Sequence, residues 1–125
     1  MHYADLTPFE YNPAYSGLNI GWLDAAHEFP TGAVPDGFLV ALFAVIASGD
    51  FTRCAAAGVH MCNLCDSRQA IYELDGDEIM VGNTEIAVPH DGTDYIAPTL
   101  IYHYVESHDY LPPEPFIHGI LEASR

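Results

Sequence analysis

The chain has 125 residues, half of them apolar, and its only basic side chains of fixed charge are Arg53, Arg68 and Arg125, against 18 Asp and Glu. This is a globular composition, not a disordered one, and we take residues 1–125 as a single compact domain with one core. A formal net charge of −15 repels nucleic-acid backbones and anionic membrane surfaces, and favours encounter with a basic protein partner.

In chain order, residues 1–34 read as an irregular arm rich in aromatic residues and Pro. Tyr3, Phe9, Tyr11, Tyr15, Trp22 and Phe29 are expected to pack across the domain, since each buries a large area. Asn19-Ile20-Gly21-Trp22-Leu23 is a candidate for a brief strand. Pro35 to Ser48 predicts a buried helix, with Pro35 at its first position and Asp36 where the helix dipole favours an anion. Gly49 suits a left-handed C-terminal cap. Candidate strands follow at Ala56–Met61, Ala70–Leu74, Glu78–Val81 and Thr84–Val88, with turn chemistry at Asp75-Gly76-Asp77 and Gly82-Asn83. Thr84 to Val88 alternates polar and apolar, as a half-buried strand does. His90-Asp91-Gly92-Thr93 is a further turn before an extended Asp94-Tyr95-Ile96. A second helix is expected from about Pro98 to His108, ended by Pro112-Pro113. A third runs from about Pro113 to Ala123, with Phe116, Ile117, Ile120 and Leu121 as its apolar stripe. The fold class this predicts is α+β: a small antiparallel sheet with about three helices.

The strongest chemical signal is split along the chain. Cys62 and Cys65 form C-x2-C; after 37 residues His103 and His108 form H-x4-H. Two thiolates from a turn and two imidazoles from a helix are a tetrahedral zinc set, and would tie a CxxC knuckle to the second helix. Residues five apart on an ideal helix differ by roughly 140° in direction, so the helix must tighten or unwind near His108. His60 is a rival ligand, two residues before Cys62 on a candidate strand. A closed Cys2His2 set predicts structural Zn2+. A catalytic site would keep a position for water and use about three protein ligands, with Glu106 or Asp109 as a nearby base. The CxxC could also be a redox pair, but no helix clearly begins there to lower a thiol pKa.

Other chemistry is thin. No G-x-S-x-G, phosphate-binding loop, dinucleotide fingerprint or H-E-x-x-H occurs. Asp75-Gly76-Asp77-Glu78 lacks the ligand ladder of a calcium loop. Cys54 reads as a small buried thiol. His2, His27, His90 and His118 each sit alone. The segment Pro98 to His108 carries no Lys or Arg, unlike a DNA-reading finger helix. The first residues lack the basic and apolar regions of a secretory signal, and the longest apolar run, Phe38 to Ala47, is half a membrane span. A cytoplasmic protein is expected.

Several stretches together resemble a bacterial family of small uncharacterised proteins, a domain of unknown function with an HxCxxC … HYxxxH pattern. They are Tyr3 to Tyr11, Asn19 to Leu23, His27 to Gly32, His60-x-Cys62-x-x-Cys65, and Ala97 to Val105 running on to His108 and Pro112-Pro113. The resemblance implies one compact domain in which the CxxC and the late histidines share a constellation. It carries no activity. Phe51 to Gly58 departs from the family's more polar, arginine-containing approach to the CxxC.

These features give three functional expectations. The first is a non-enzymatic, zinc-stabilised interaction module whose acidic surface docks a basic partner, in the manner of an immunity protein or antitoxin. The second is a zinc hydrolase with three of these ligands and Glu106 as base. The third is a CxxC redox module. The acidity could equally serve solubility or reflect a salt-adapted proteome.

Overall fold

The computed structural model describes residues 2–9, 16–55, 61–65 and 68–125. Its elements in chain order are β1 (Leu18–Asn19), α1 (Phe38–Ser48), β2 (Thr52–Ala55), β3 (Ile71–Leu74), β4 (Asp77–Met80), β5 (Thr84–His90), β6 (Thr93–Pro98), α2 (Ile101–His108) and α3 (Glu114–Ala123). The α+β class is as expected. The strands form two sheets, a four-stranded one in the order β1-β6-β5-β2 and the separate hairpin β3-β4. The larger sheet is mixed, because β1 runs parallel to β6 while its other pairs are antiparallel.

Turn chemistry sets both hairpins. Asp75 and Gly76 both have positive φ, at 51° and 88°, and join β3 to β4 through a two-residue loop. Asp91 and Gly92, at 50° and 80°, do the same for β5 and β6. Such mirror-image turns match the twist of paired strands. Gly82-Asn83 is a different feature: it carries the chain from one sheet to the other.

The helices start later than the sequence expectation, while their ends at Ser48, His108 and Ala123 fall where expected. Helix α1 starts at Phe38, not Pro35, because Gly37 before it is left-handed at φ 85°. Asp36 therefore lies outside the first turn, which holds no acid. Gly49 caps the helix as expected, at φ 74°. Pro98 ends β6, and α2 begins three residues later at Ile101. Thr99 fills the gap: its hydroxyl bonds the Thr84 carbonyl and receives the Gly82 N–H, both at 3.0 Å. Helix α2 ends before Pro112-Pro113, because Asp109 turns left-handed at φ 54° and its N–H returns to the Tyr104 carbonyl.

Strand β5 is not half-buried. Glu85, Ile86, Ala87 and Val88 are all buried in succession. Helix α3 packs on this strand from one side; Phe9 and Trp22 join Ala87 and Ile96 in a second small cluster. A strand covered on both faces has no solvent side.

The main core gathers Phe38, Leu42 and Val45 of α1, Ile101 of α2, and Phe116 and Ile120 of α3. From the arm, Phe29 packs against this core, as Phe9 and Trp22 do in the second cluster. Gly21 breaks the anticipated Asn19–Leu23 strand at φ 73°, so only Leu18–Asn19 pairs regularly. Asp5 then staples the arm down. Its carboxylate accepts the Gly21 N–H at 3.0 Å and the Tyr110 hydroxyl at 2.8 Å. Burial, reinforced by the Asp5 carboxylate, pushes the Tyr110 phenol well above its usual range. Among the described residues, no helix is long and apolar enough to cross a membrane.

Candidate metal centre

Four side chains from two distant segments converge. The donor atoms of Cys62, Cys65, His103 and His108 all lie within 4.8 Å of one another, and the four can hold a metal ion. Cys62 Sγ lies 3.8 Å from Cys65 Sγ and 3.4 Å from His108 Nε2. Cys65 Sγ lies 3.5 Å from His103 Nε2. The two imidazoles meet nearly edge to face, with planes at 76°.

Each half is positioned by local structure. The knuckle folds so that the Leu64 N–H points at Cys62 Sγ from 3.3 Å. Such an N–H stabilises negative charge on sulfur. On α2, His103 lies on the inner face and is 2% exposed. His108 is the last helical residue, and the left-handed Asp109 follows immediately. The x4 spacing is thus accommodated where the helix ends.

The electrostatics suit neutral imidazole and a thiol in need of a partner. Burial lowers the His103 pKa, and the nearby His108 lowers it further, so the ring favours its neutral, ligand-competent form. Burial pushes the Cys62 thiol up, with the Leu64 N–H acting in the opposite direction. That is opposite to the depressed thiol of a reactive CxxC. A bound cation would reverse it, because coordinated thiols are deprotonated outright.

Behind the ligands sit residues that sequence reasoning missed. The Tyr72 hydroxyl lies 2.7 Å from His103 Nδ1, the nitrogen facing away from the cysteines. With Nε2 directed at an ion, the ring proton rides on Nδ1 and is donated to Tyr72 Oη. Burial, with Glu106 adding, pushes the Tyr72 phenol up to about 12. Strand β3 thereby braces helix α2 through His103. The knuckle is braced separately, by the Ala25 N–H donating to Asn63 Oδ1 at 3.0 Å. Glu106, the expected base of a hydrolase, is exposed and hydrogen-bonded by Ser107. The rival ligand His60 and most of the expected Ala56–Met61 strand lie outside the described residues, as does the Cys54 side chain.

The fold and this cluster define a small α+β domain with a Cys2His2 group able to hold a metal ion. The chain belongs to the family of the domain of unknown function DUF7919, whose model matches residues 1–121. No curated protein and no solved structure matches the chain.

Proposed function

We propose that Cys62, Cys65, His103 and His108 hold one structural zinc ion, and that the chain is a non-enzymatic module docking a basic protein partner. The ligand spacing carries the first half. A tetrahedral ion with Zn–S near about 2.3 Å and Zn–N near about 2.0–2.1 Å sets S···S at about 3.8 Å and S···N at about 3.5 Å. The corresponding separations are 3.8 Å between sulfurs and 3.4 and 3.5 Å between sulfur and nitrogen. Four protein ligands close the coordination shell and leave no position for water or substrate, which favours a structural role. Zinc also suits the donors, since two thiolates and two neutral imidazoles neutralise its charge.

The formal charge of −15 supports the second half. A basic partner would be drawn to such a field, as an immunity protein or antitoxin draws a basic nuclease.

Elemental mass spectrometry of the purified protein tests the metal, with Cys62→Ser as control. One zinc per chain is expected, lost together with folding in the variant. Native protein without metal, and with titratable thiols at Cys62 and Cys65, would overturn the site. A pull-down at low and high salt tests the partner: capture that ignores salt would sink the electrostatic account.

A further inference from the structure

A second donor set lies in the arm. His2, Asp24 and His27 each offer one ligand atom, and these atoms all lie within 4.8 Å of one another. These histidines were expected to stand alone. Instead the two rings stack, with centroids 3.9 Å apart and planes within 4°.

Two local structures bring them together. Asp24 opens a tight turn: its carboxylate accepts the Ala26 N–H at 3.2 Å and lies 2.7 Å from His27 Nδ1. His2 arrives beside the turn because the neighbouring Tyr3 pairs with Trp22, through a 3.3 Å bond from its N–H to the Trp22 carbonyl. His2 Nδ1 is shielded from solvent and has no hydrogen-bond partner among the described residues. Buried imidazole nitrogens are ordinarily satisfied.

We propose that His2, Asp24 and His27 form a second, exchangeable site for a divalent transition-metal ion of the zinc and cobalt type. Two imidazoles and one carboxylate are the donors such ions prefer when sulfur is absent. Three ligands leave coordination positions open to solvent. The His27 side chain is 54% exposed and that of Asp24 18%, so an ion can enter and leave. Parallel rings cannot both aim at one ion. Binding therefore tilts His27 out of the stack and breaks its hydrogen bond to Asp24, each residue then giving one bond to the metal while the proton between them passes to the other ring nitrogen or to solvent. Ligand atoms around such an ion lie about 3.3 Å apart, so the 2.7 Å pair opens slightly. The turn is clipped to the cysteine knuckle through Ala25 and Asn63, which makes the two centres neighbours in the fold.

The site stands independently of the first, and cobalt(II) separates them spectroscopically. Full-length protein, preloaded with one equivalent of zinc, is titrated with cobalt(II) while visible absorption and bound cobalt are followed. Cobalt at the cysteine cluster announces itself by a thiolate charge-transfer band. Cobalt at the second site gives ligand-field absorption without that band. One saturable, charge-transfer-free equivalent is expected, weakened at least about tenfold by His27→Ala and by His2→Ala. His27→Gln, which retains a polar side chain at this exposed position, should weaken it likewise, and circular dichroism checks each fold. Absence of a saturable second equivalent would overturn the proposal. So would a second equivalent that survives both histidine substitutions, since the abundant carboxylates would then be its ligands.

Discussion

Tyr72 stands directly behind His103: its hydroxyl meets Nδ1 at 2.7 Å, while Nε2 of the same ring faces Cys65 Sγ at 3.5 Å. The residue on the hairpin thus holds the ring of a histidine on the helix with its Nε2 aimed at the cysteines. Tyr72→Phe removes only the hydroxyl and leaves the buried ring in place. Zinc affinity should fall by about 10–100-fold, the usual effect of losing such a support, with the secondary structure unchanged. Competition against a chromophoric chelator measures it. Unchanged affinity would mean that His103 is oriented by packing alone.

Metal removal should unfold the chain. Structural zinc contributes about 10–16 kcal/mol of apparent binding free energy in small domains, which equals or exceeds the whole stability of a typical domain, about 5–15 kcal/mol. Excess chelator is expected to abolish the cooperative thermal transition, and added zinc to restore it. His103→Ala should behave like the chelated protein. A sharp, unshifted transition in chelator would show that the apolar core suffices.

Glu85 gives a pH prediction of definite sign. It is buried on β5, Oε2 has no hydrogen-bond partner among the described residues, and burial raises its pKa from 4.5. The fold therefore binds this proton more tightly than the unfolded chain does. The group's contribution is fully present below pH 4.5 and is lost as pH rises through the folded-state value. Glu85→Gln should stabilise the protein at pH 7 by roughly 1 kcal/mol, the order of an unsatisfied buried polar group. The gain should shrink towards pH 4. Urea denaturation of both proteins across this range tests it; a gain independent of pH would point to packing instead.

Gly21 is constrained twice. It sits at φ 73°, and a Cβ there would approach Ile101 Cδ1 to 2.8 Å. Gly21→Ala should cost about 2–4 kcal/mol, part from the left-handed backbone and part from displacing a core side chain. Chemical denaturation measures it. A loss below about 0.5 kcal/mol would mean that the arm shifts freely over α2, since substitutions away from special features fall within that range.

The cysteine and histidine cluster was legible because the spacing that suits metal ligands can be read in one dimension. Helices and turns were legible where one residue type had a single reason to be present, as at Gly49, Gly76 and Gly92. Boundaries failed where a proline had two meanings. Pro98 suits a helix start, yet it ends a strand, and only the Thr99 side chain linking Gly82 to Thr84 explains why. The alternation of Thr84 to Val88 misled because distant parts of the chain cover β5 on both faces, α3 on one and the cluster of Phe9 and Trp22 with Ala87 on the other. Tyr72 and the pairing of His2 with His27 depend on contacts 31 and 25 positions apart, and no local pattern marks either. The separation of the strands into two sheets at Gly82-Asn83 was invisible for the same reason.

The contact between Cys65 and His103 has a topological consequence. With an ion held between them, the intervening segment from β3 to β6 becomes a closed ring with two tails. Closing a flexible loop of this size costs an entropy worth about 3 kcal/mol; the ion removes that freedom from the unfolded chain as a disulfide would. Unlike a disulfide, this fastening opens without an electron donor. Persistence of the sheet then follows the free concentration of a metal, and a chain released in a metal-poor setting is an open thread available to proteases.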